Sequence, residues 1–446
     1  MMKPVVFAAW LVFPLAGLTR GTEPPPASTP DSPHDVSLAQ CLQIAVAHNA
    51  QLRLASMQFL ATKGRVISLH AILFPTLQAQ GLTTPPTLFV QFQQTLYNRA
   101  IFPQLRISRL SEEQVRLNYR QAFDDVMFQV RQAFINTLAA RAQVDLYRNY
   151  ADRQAKAMDS AQQLFEAGEV QKNTVFSIQV KANLARHSQA DAQLQYTRAL
   201  LALDTVLGQD LPPSVHLTGE LLVDTPAKLD AGELTAEALQ KRQDLQSIES
   251  VQMSAEQQVR VDLQNAFPIV GISSDGAFQA PSVGPLSAGG GYDLEQNYDE
   301  PSTERQSGNS QLPLSFYATW QIFDGGNMKG IRISDQAQIA SRDVALQELR
   351  HSISEEINSA VATILVERDN LRTLNGQASE AELRHLADVE YEAGRMRQLD
   401  KAYLEDDILQ QQQQRLTAEY RLSLAAAALD HALGDDLETA VARPRP

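Results

Sequence analysis

Apolar residues recur along this chain at two periods, and the two periods alternate in a fixed order. Phe123, Met127, Val130, Phe134 and Leu138 follow one another at steps of three and four, the spacing of one helix face. Leu346, Leu349, Ile353, Ile357, Ala360 and Ile364 do the same, and such stripes suit coiled-coil packing. No proline interrupts Gln104 to Leu211 or Leu314 to Ala442. The spacing therefore predicts very long helices. Leu105 to Phe165 alone would reach roughly 90 Å at ~1.5 Å per residue. Elsewhere the period falls to two. Leu88, Val90, Phe92 and Leu96 alternate with Gln91, Gln93 and Thr95. Leu314, Phe316, Ala318, Trp320 and Ile322 alternate with Ser315, Tyr317, Thr319 and Gln321. Both runs read as strands with one apolar and one polar face, over Thr87–Tyr97 and Leu314–Phe323. Thr76–Leu82 and Ile269–Phe278 read as weaker strands beside them.

Glycine and proline punctuate this pattern. Phe74-Pro75 and Phe267-Pro268 end two further helices, Leu38–Leu73 and Leu234–Ala266. Gly168 and Gly394 each stand where one long helix stops and another returns. Asn173-Thr174 and Asp400 offer N-caps for the returning helices. The punctuation also repeats. Gly168 and Gly208 map onto Gly394 and Gly434 with one shift of 226 residues, and Arg106-Ile107-Ser108 maps onto Arg332-Ile333-Ser334 with the same shift. Further upstream the shift becomes 193, so that Leu52 meets Leu245 and Phe74-Pro75 meets Phe267-Pro268. Two copies of one plan explain both shifts, with an insertion of about 33 residues in the second copy. Residues 36–208 form the first copy and 233–434 the second, with a connector at 209–232. A long Gly/Ser/Asp-rich loop at 279–311 replaces the tight turn Thr84-Pro85-Pro86. A short tail, 435–446, follows.

Composition narrows the function classes. A net charge of −14 argues against nucleic acid as a partner. The single cysteine, Cys41, excludes a disulfide framework and is read as a packed helix residue. Lys3 followed by the apolar run Val5–Leu18 reads as a signal peptide over 1–20, with a Pro-rich linker at 21–35. No later segment approaches eighteen apolar residues, so no helix is expected to cross a membrane. The eight histidines are scattered, and adjacent carboxylates such as Asp124-Asp125 diverge on a helix. No catalytic, metal or cofactor constellation emerges, and the chain is not read as an enzyme.

Strands with opposed faces fit either a membrane barrel or a soluble sandwich. Four strands cannot close a membrane barrel, so a spanning sheet would have to be shared between chains. A soluble periplasmic coiled-coil scaffold is the alternative, but such a scaffold has no need of an apolar strand face.

In this order and spacing the chain resembles the TolC-like family of outer-membrane efflux proteins. The resemblance runs from about Val36 to Gly434. It rests on Phe74-Pro75 and Phe267-Pro268, on Phe323-Asp324-Gly325-Gly326, and on the duplicated Gly-to-Leu-Gly spacing. The first copy departs from the pattern, with Asn98-Arg99-Ala100 in place of Asp-Gly-Gly. The resemblance implies a mixed α and transmembrane β fold. Long helical hairpins would form a periplasmic α-barrel, and three chains would share a twelve-stranded β-barrel in the outer membrane. It implies passive export through a tripartite efflux or secretion system with a periplasmic adaptor and an inner-membrane pump. Leu88, Val90, Phe92, Leu314, Phe316, Trp320 and Ile322 would face lipid. Gly168-Glu169-Val170 and Gly394-Arg395-Met396 would form the periplasmic tip and meet the adaptor. Asp400 would line the channel entrance as a carboxylate ring, with Tyr403 where a second acidic residue is expected and Asp407 on the same face. Glu405 and Asp406 are read as ordinary surface charges.

Overall fold

The computed structural model describes residues 35–83, 86–212, 215–219, 221, 229–279, 314–376 and 380–434. The signal peptide, the linker, most of the long loop and the tail lie outside the described residues.

The chain opens with β1 (Asp35–Ser37), α1 (Leu38–His48) and α2 (Ala50–His70). A short 3-10 turn then leads into β2 (Thr76–Thr83) and β3 (Pro86–Tyr97). The long helices α3 (Ile101–Glu166) and α4 (Lys172–Leu207) follow. After β4 (His216–Thr218) the order recurs: α5 (Ala231–Lys241), α6 (Gln243–Gln264), β5 (Ile269–Gln279) and β6 (Leu314–Thr319). α7 (Asn327–Asn375), α8 (Glu380–Glu392) and α9 (Gln398–Leu433) complete the chain. The 66 residues of α3 span about 100 Å at ~1.5 Å per residue. Among the described residues no helix is long and apolar enough to cross a membrane.

Each apolar stripe finds its own core. Phe123, Met127, Val130, Phe134 and Leu138 pack with Leu42, Ala45 and Leu52 of the first helices and with Leu203 and Leu207 of α4. Ile353, Ile357, Ala360 and Ile364 pack with Ala238, Leu245, Leu429 and Leu433 in a second cluster. Residues related by the two shifts hold matching places: Ala45 and Ala238, Met127 and Ile353, Leu207 and Leu433. Cys41 is fully buried in the first core, and burial pushes its thiol up to about 11.

The helices expected as single rods before each sheet are divided. Asn49 and Arg242, 193 residues apart, both leave the helix with φ −62° and ψ 130°. Asn49 caps α2, its Oδ1 accepting from the amides of Gln51 and Leu52, and its Nδ2 donates to the Val206 carbonyl 2.7 Å away. Gly208 packs on this break. A Cβ there would lie 2.6 Å from the His48 carbonyl oxygen, so only glycine fits.

The four strands form one sheet in the order β2-β3-β5-β6, antiparallel throughout. Its register aligns polar rows, Thr76–Gln93–Ser273–Ser315 and Gln78–Gln91–Asp275. The intervening rows carry Leu77 beside Phe92 and Ile272 beside Phe316, and Phe316 is 76% exposed. Val90 and Phe92 are half-buried within β3. Leu88 pairs with Phe278 and Leu314 with Ser274. One expectation fails here. β6 ends at Thr319 rather than Phe323, so Trp320, Gln321 and Ile322 are not strand residues. The partner strand sets this limit. Thr319 pairs with Ile269, the residue after Pro268, and proline has no N–H to extend the ladder. The Trp320 indole instead donates to the Ala266 carbonyl at 3.0 Å, tying the strand end to the end of α6.

The strand-to-helix corners agree despite their different residues. Asp324 Oδ1 accepts from the Gly326 amide at 2.9 Å, and Asn98 Oδ1 accepts from the Ala100 amide at 3.0 Å. Asparagine supplies the same short acceptor as aspartate.

Candidate functional site

The two hairpin ends share one turn. The Gly168 amide donates to Phe165 and the Glu169 amide to Leu164. The Gly394 amide donates to Tyr391 and the Arg395 amide to Glu390. This is the paired pattern of a Schellman motif, which requires a left-handed residue. Gly168 and Gly394 supply it with φ of 79° and 69°. Gly168, Glu169, Gly394 and Arg395 are exposed, while Val170 and Met396 are half-buried. The tip thus presents one acidic and one basic residue at equivalent places.

The expected caps are not the caps. α4 starts after Gln171 and α9 after Arg397, at almost identical extended dihedrals, and neither side chain bonds a helix amide. The chain enters the helix directly after the turn, before Asn173 or Asp400 is reached. Asn173 lies inside the first turn, and its Oδ1 accepts from the amide of its neighbour Thr174 at 2.8 Å. Asp400 receives the Arg397 guanidinium through two bonds, Nε at 2.9 Å and Nη2 at 3.1 Å. That pairing holds its carboxyl below the usual carboxylate range. Tyr403 is half exposed, and the Lys181 ammonium of α4 lies 4.0 Å from its ring centre. Asp407 is exposed.

Glu405 and Asp406 correct the surface-charge reading. The buried Tyr150 hydroxyl donates to Asp406 at 2.5 Å, and Lys181 forms an ion pair with the same carboxylate. Arg153 Nε donates to Glu405 at 2.8 Å, with Arg384 Nε 3.5 Å from its other oxygen. Adjacent residues on a helix point about 100° apart, so Glu405 reaches α3 and α8 while Asp406 reaches α3 and α4. Two carboxylates thereby join four helices. Burial, and then Asp406, push the Tyr150 hydroxyl far above its ordinary value, which keeps it a donor. The small residues Ala151 and Ala185 let the helices approach here. In the sequence, Tyr150, Arg153 and Gln154 do share a helix face, but nothing in their spacing names the partner 256 residues away.

The polar contacts continue along α3 and α9. Gln413 donates to the Tyr147 hydroxyl at 2.7 Å, and the Tyr420 hydroxyl donates to Asn136 at 2.9 Å. Arg131 pairs with Asp430, and His431 stacks on Phe128 beside Asp125.

Residues 234–435 match the family model described as outer membrane efflux protein. The toluene efflux pump outer membrane protein TtgC of Pseudomonas putida is 24% identical over 280 residues, covering 58% of this chain and 57% of that protein. The alignment thus spans little more than half of this relative's length. A membrane protein from Pseudomonas aeruginosa superposes with a TM-score of 0.71 at 18% identity, covering 89% of this chain and 90% of that one. The Campylobacter jejuni CmeC outer membrane channel gives a TM-score of 0.70 at 13% identity, covering 89% and 85%. At these identities the likeness shows the fold.

Proposed function

We propose that the chain is a member of the TolC-like family of outer-membrane efflux proteins and the exit duct of a tripartite export system. Its place is the outer membrane. Three copies close a twelve-stranded β-barrel there and a twelve-helix tube in the periplasm, and solutes pass through without chemistry. The observation that carries this reading is the sheet. Among the described residues it has four strands, with β2 and β6 at its edges, and alternating polar and apolar rows. Such a sheet needs neighbours on both edges, lipid outside and water inside. The matched turns, helix breaks and cores support an internal duplication as the origin of the two copies.

The tips Gly168-Glu169-Val170 and Gly394-Arg395-Met396 are the contact for a periplasmic adaptor, which joins the duct to an inner-membrane pump. Asp400, Tyr403 and Asp407 line the entrance, where three copies of each carboxylate attract cations. The pairing of Asp400 with Arg397 weakens that ring, since each carboxylate already has a counter-charge.

Fractionation followed by heat-dependent gel migration tests the reading. A heat-modifiable oligomer in the outer membrane, with ohmic conductance in planar bilayers, is expected. Recovery as a soluble periplasmic monomer would overturn the duct in favour of a scaffold. For the entrance, Asp400→Ala should change cation block of that conductance. Unchanged block leaves Asp400 with only its bond to Arg397.

A further inference from the structure

Along α3, α4 and α9 runs an open groove of about 810 Å³, within the size range of small-molecule sites. It lies on the side of α3 turned away from the connector. Phe134 and Leu138 pack with Leu217 of β4, and Arg141 donates to the Leu217 carbonyl at 2.8 Å. Residues two apart on a helix point about 200° apart, so Asn136 and Gln143 look the other way and line the groove. Small side chains make the space. Ala139 and Ala140 of α3 and Ala199 of α4 give it an apolar lining, and the bonds of Tyr147 and Tyr420 between α3 and α9 fix its far wall.

The polar part of the lining is neutral except at one point. No aspartate or glutamate lines the groove, although the chain carries a net charge of −14. Arg198 does line it, is exposed, and makes no ion pair or hydrogen bond among the described residues. The side-chain amides of Gln132, Gln143 and Gln195 are likewise unpaired among the described residues. The second copy handles its charge differently. There, 226 residues on, Arg198 becomes Leu424 and Gln195 becomes Arg421, whose guanidinium is matched by Glu367 at 3.2 Å. We propose that the groove binds organic anions with an apolar body. The carboxylate or sulfonate sits on Arg198, the body lies on the alanines, and the glutamines bond polar substituents. One guanidinium suits a single anionic group rather than a multivalent ion. With the connector outside the proposed duct, on which this placement rests, the groove opens to the lumen and holds anionic cargo on its way out.

The test uses the full-length protein purified in detergent and titrated with probes of one shape: naphthoate, naphthamide and naphthylmethylammonium. Saturable binding is expected, tightest for the anion and weakest for the cation. Arg198→Gln should weaken the anion roughly tenfold, by loss of a charge-assisted bond, and change the amide little. Arg198→Glu should invert the order in favour of the cation, an outcome that damage to the fold cannot produce. Equal affinity for the three probes, or the same order in Arg198→Glu as in the wild type, overturns the proposal. Conductance in planar bilayers then judges where the site lies. Block by naphthoate, relieved in Arg198→Glu, supports a groove on the path of the cargo, and binding without block overturns that placement. A protein that forms no channel fails the duct reading, and the detergent titration alone then decides the groove.

Discussion

The first hairpin and the second share a turn and a returning helix of 36 residues, but the arms next to the turns are built differently. In the first, α3 runs unbroken, and Val175, Ile178, Ala182 and Ala185 of α4 are buried against it. In the second, α7 stops at Asn375, and the outgoing arm resumes as the short α8, which buries Ala387. Lys401–Asp388 and Arg384–Glu405 add ion pairs between α8 and α9. Apolar burial is non-directional and insensitive to salt, whereas partly exposed ion pairs are weak and screened. The lesson is that identical turns do not make equally rigid arms. Any opening of the tip should begin in the second hairpin.

The largest effect should come from Ile178→Ala, which empties a fully buried site in the first hairpin. A loss of about 2–5 kcal/mol is expected, read as a lower unfolding midpoint. Leu386→Ala, at a residue 56% exposed in α8, should cost far less. An equal cost would show that another molecule covers α8.

Next in size is Tyr150→Phe, which strips one donor from Asp406. About 1.5–3 kcal/mol is the scale for a bond to a charged group. Hydrogen exchange should rise in α9 around Asp406 more than in α4. A uniform rise across both hairpins would show that the bond steadies the whole bundle rather than the start of α9.

Gly168→Ala and Gly394→Ala should each cost about 1–2 kcal/mol, since both demand a left-handed alanine. Because the turns match, equal costs are expected. Unequal midpoints would break the equivalence of the two tips.

Asp335 offers a comparison nearer the sheet. α7 buries Asp335 where α3, 226 residues earlier, carries the exposed Arg109. One Asp335 carboxylate oxygen is buried without a partner among the described residues. Desolvation, then Asp262, raise its carboxyl above the ordinary value. A raised carboxyl favours the folded state while protonated, so its stability is lost as pH climbs through the folded value. Asp335→Asn should therefore stabilise the protein at pH 7 and change little in acid. A gain independent of pH would point to packing instead.

The smallest effect should be at Asp400, whose equivalent in the first hairpin is the uncharged Thr174. The Arg397 bonds lower its carboxyl, so the stabilisation is present above the unfolded value of about 3.9 and fades as acid passes the folded one. Acid should fray the start of α9 but not of α4, and Asp400→Asn should abolish that difference. Exchange measured at pH 3 and pH 6 on both segments decides it.

Much of this architecture is legible in the residues. The stripes from Phe123 to Leu138 and from Ile353 to Ile364 are buried as their spacing predicts, and the period-two runs pair as strands. The glycines at 168 and 394 mark both tips. Other features escaped because their cause lies elsewhere in the chain. The end of β6 depends on Pro268, which stands just before its partner strand. The break at Arg242 has no capping residue to announce it, and Glu405 and Asp406 look solvated until α3 is laid beside α9.

The amino-acid sequence by itself determined what repeats along one element: helix face, strand face, turn and the equivalence of the two copies. These follow from local periods of about 3.6 and two residues, which any short window carries. Only the tertiary structure decided which charges meet, because that depends on the antiparallel register of helices far apart in the chain. Tyr150 and Asp406 are separated by 256 residues, and no local rule links them. Packing chose that partner, and with it the bonds that hold the second hairpin to the first.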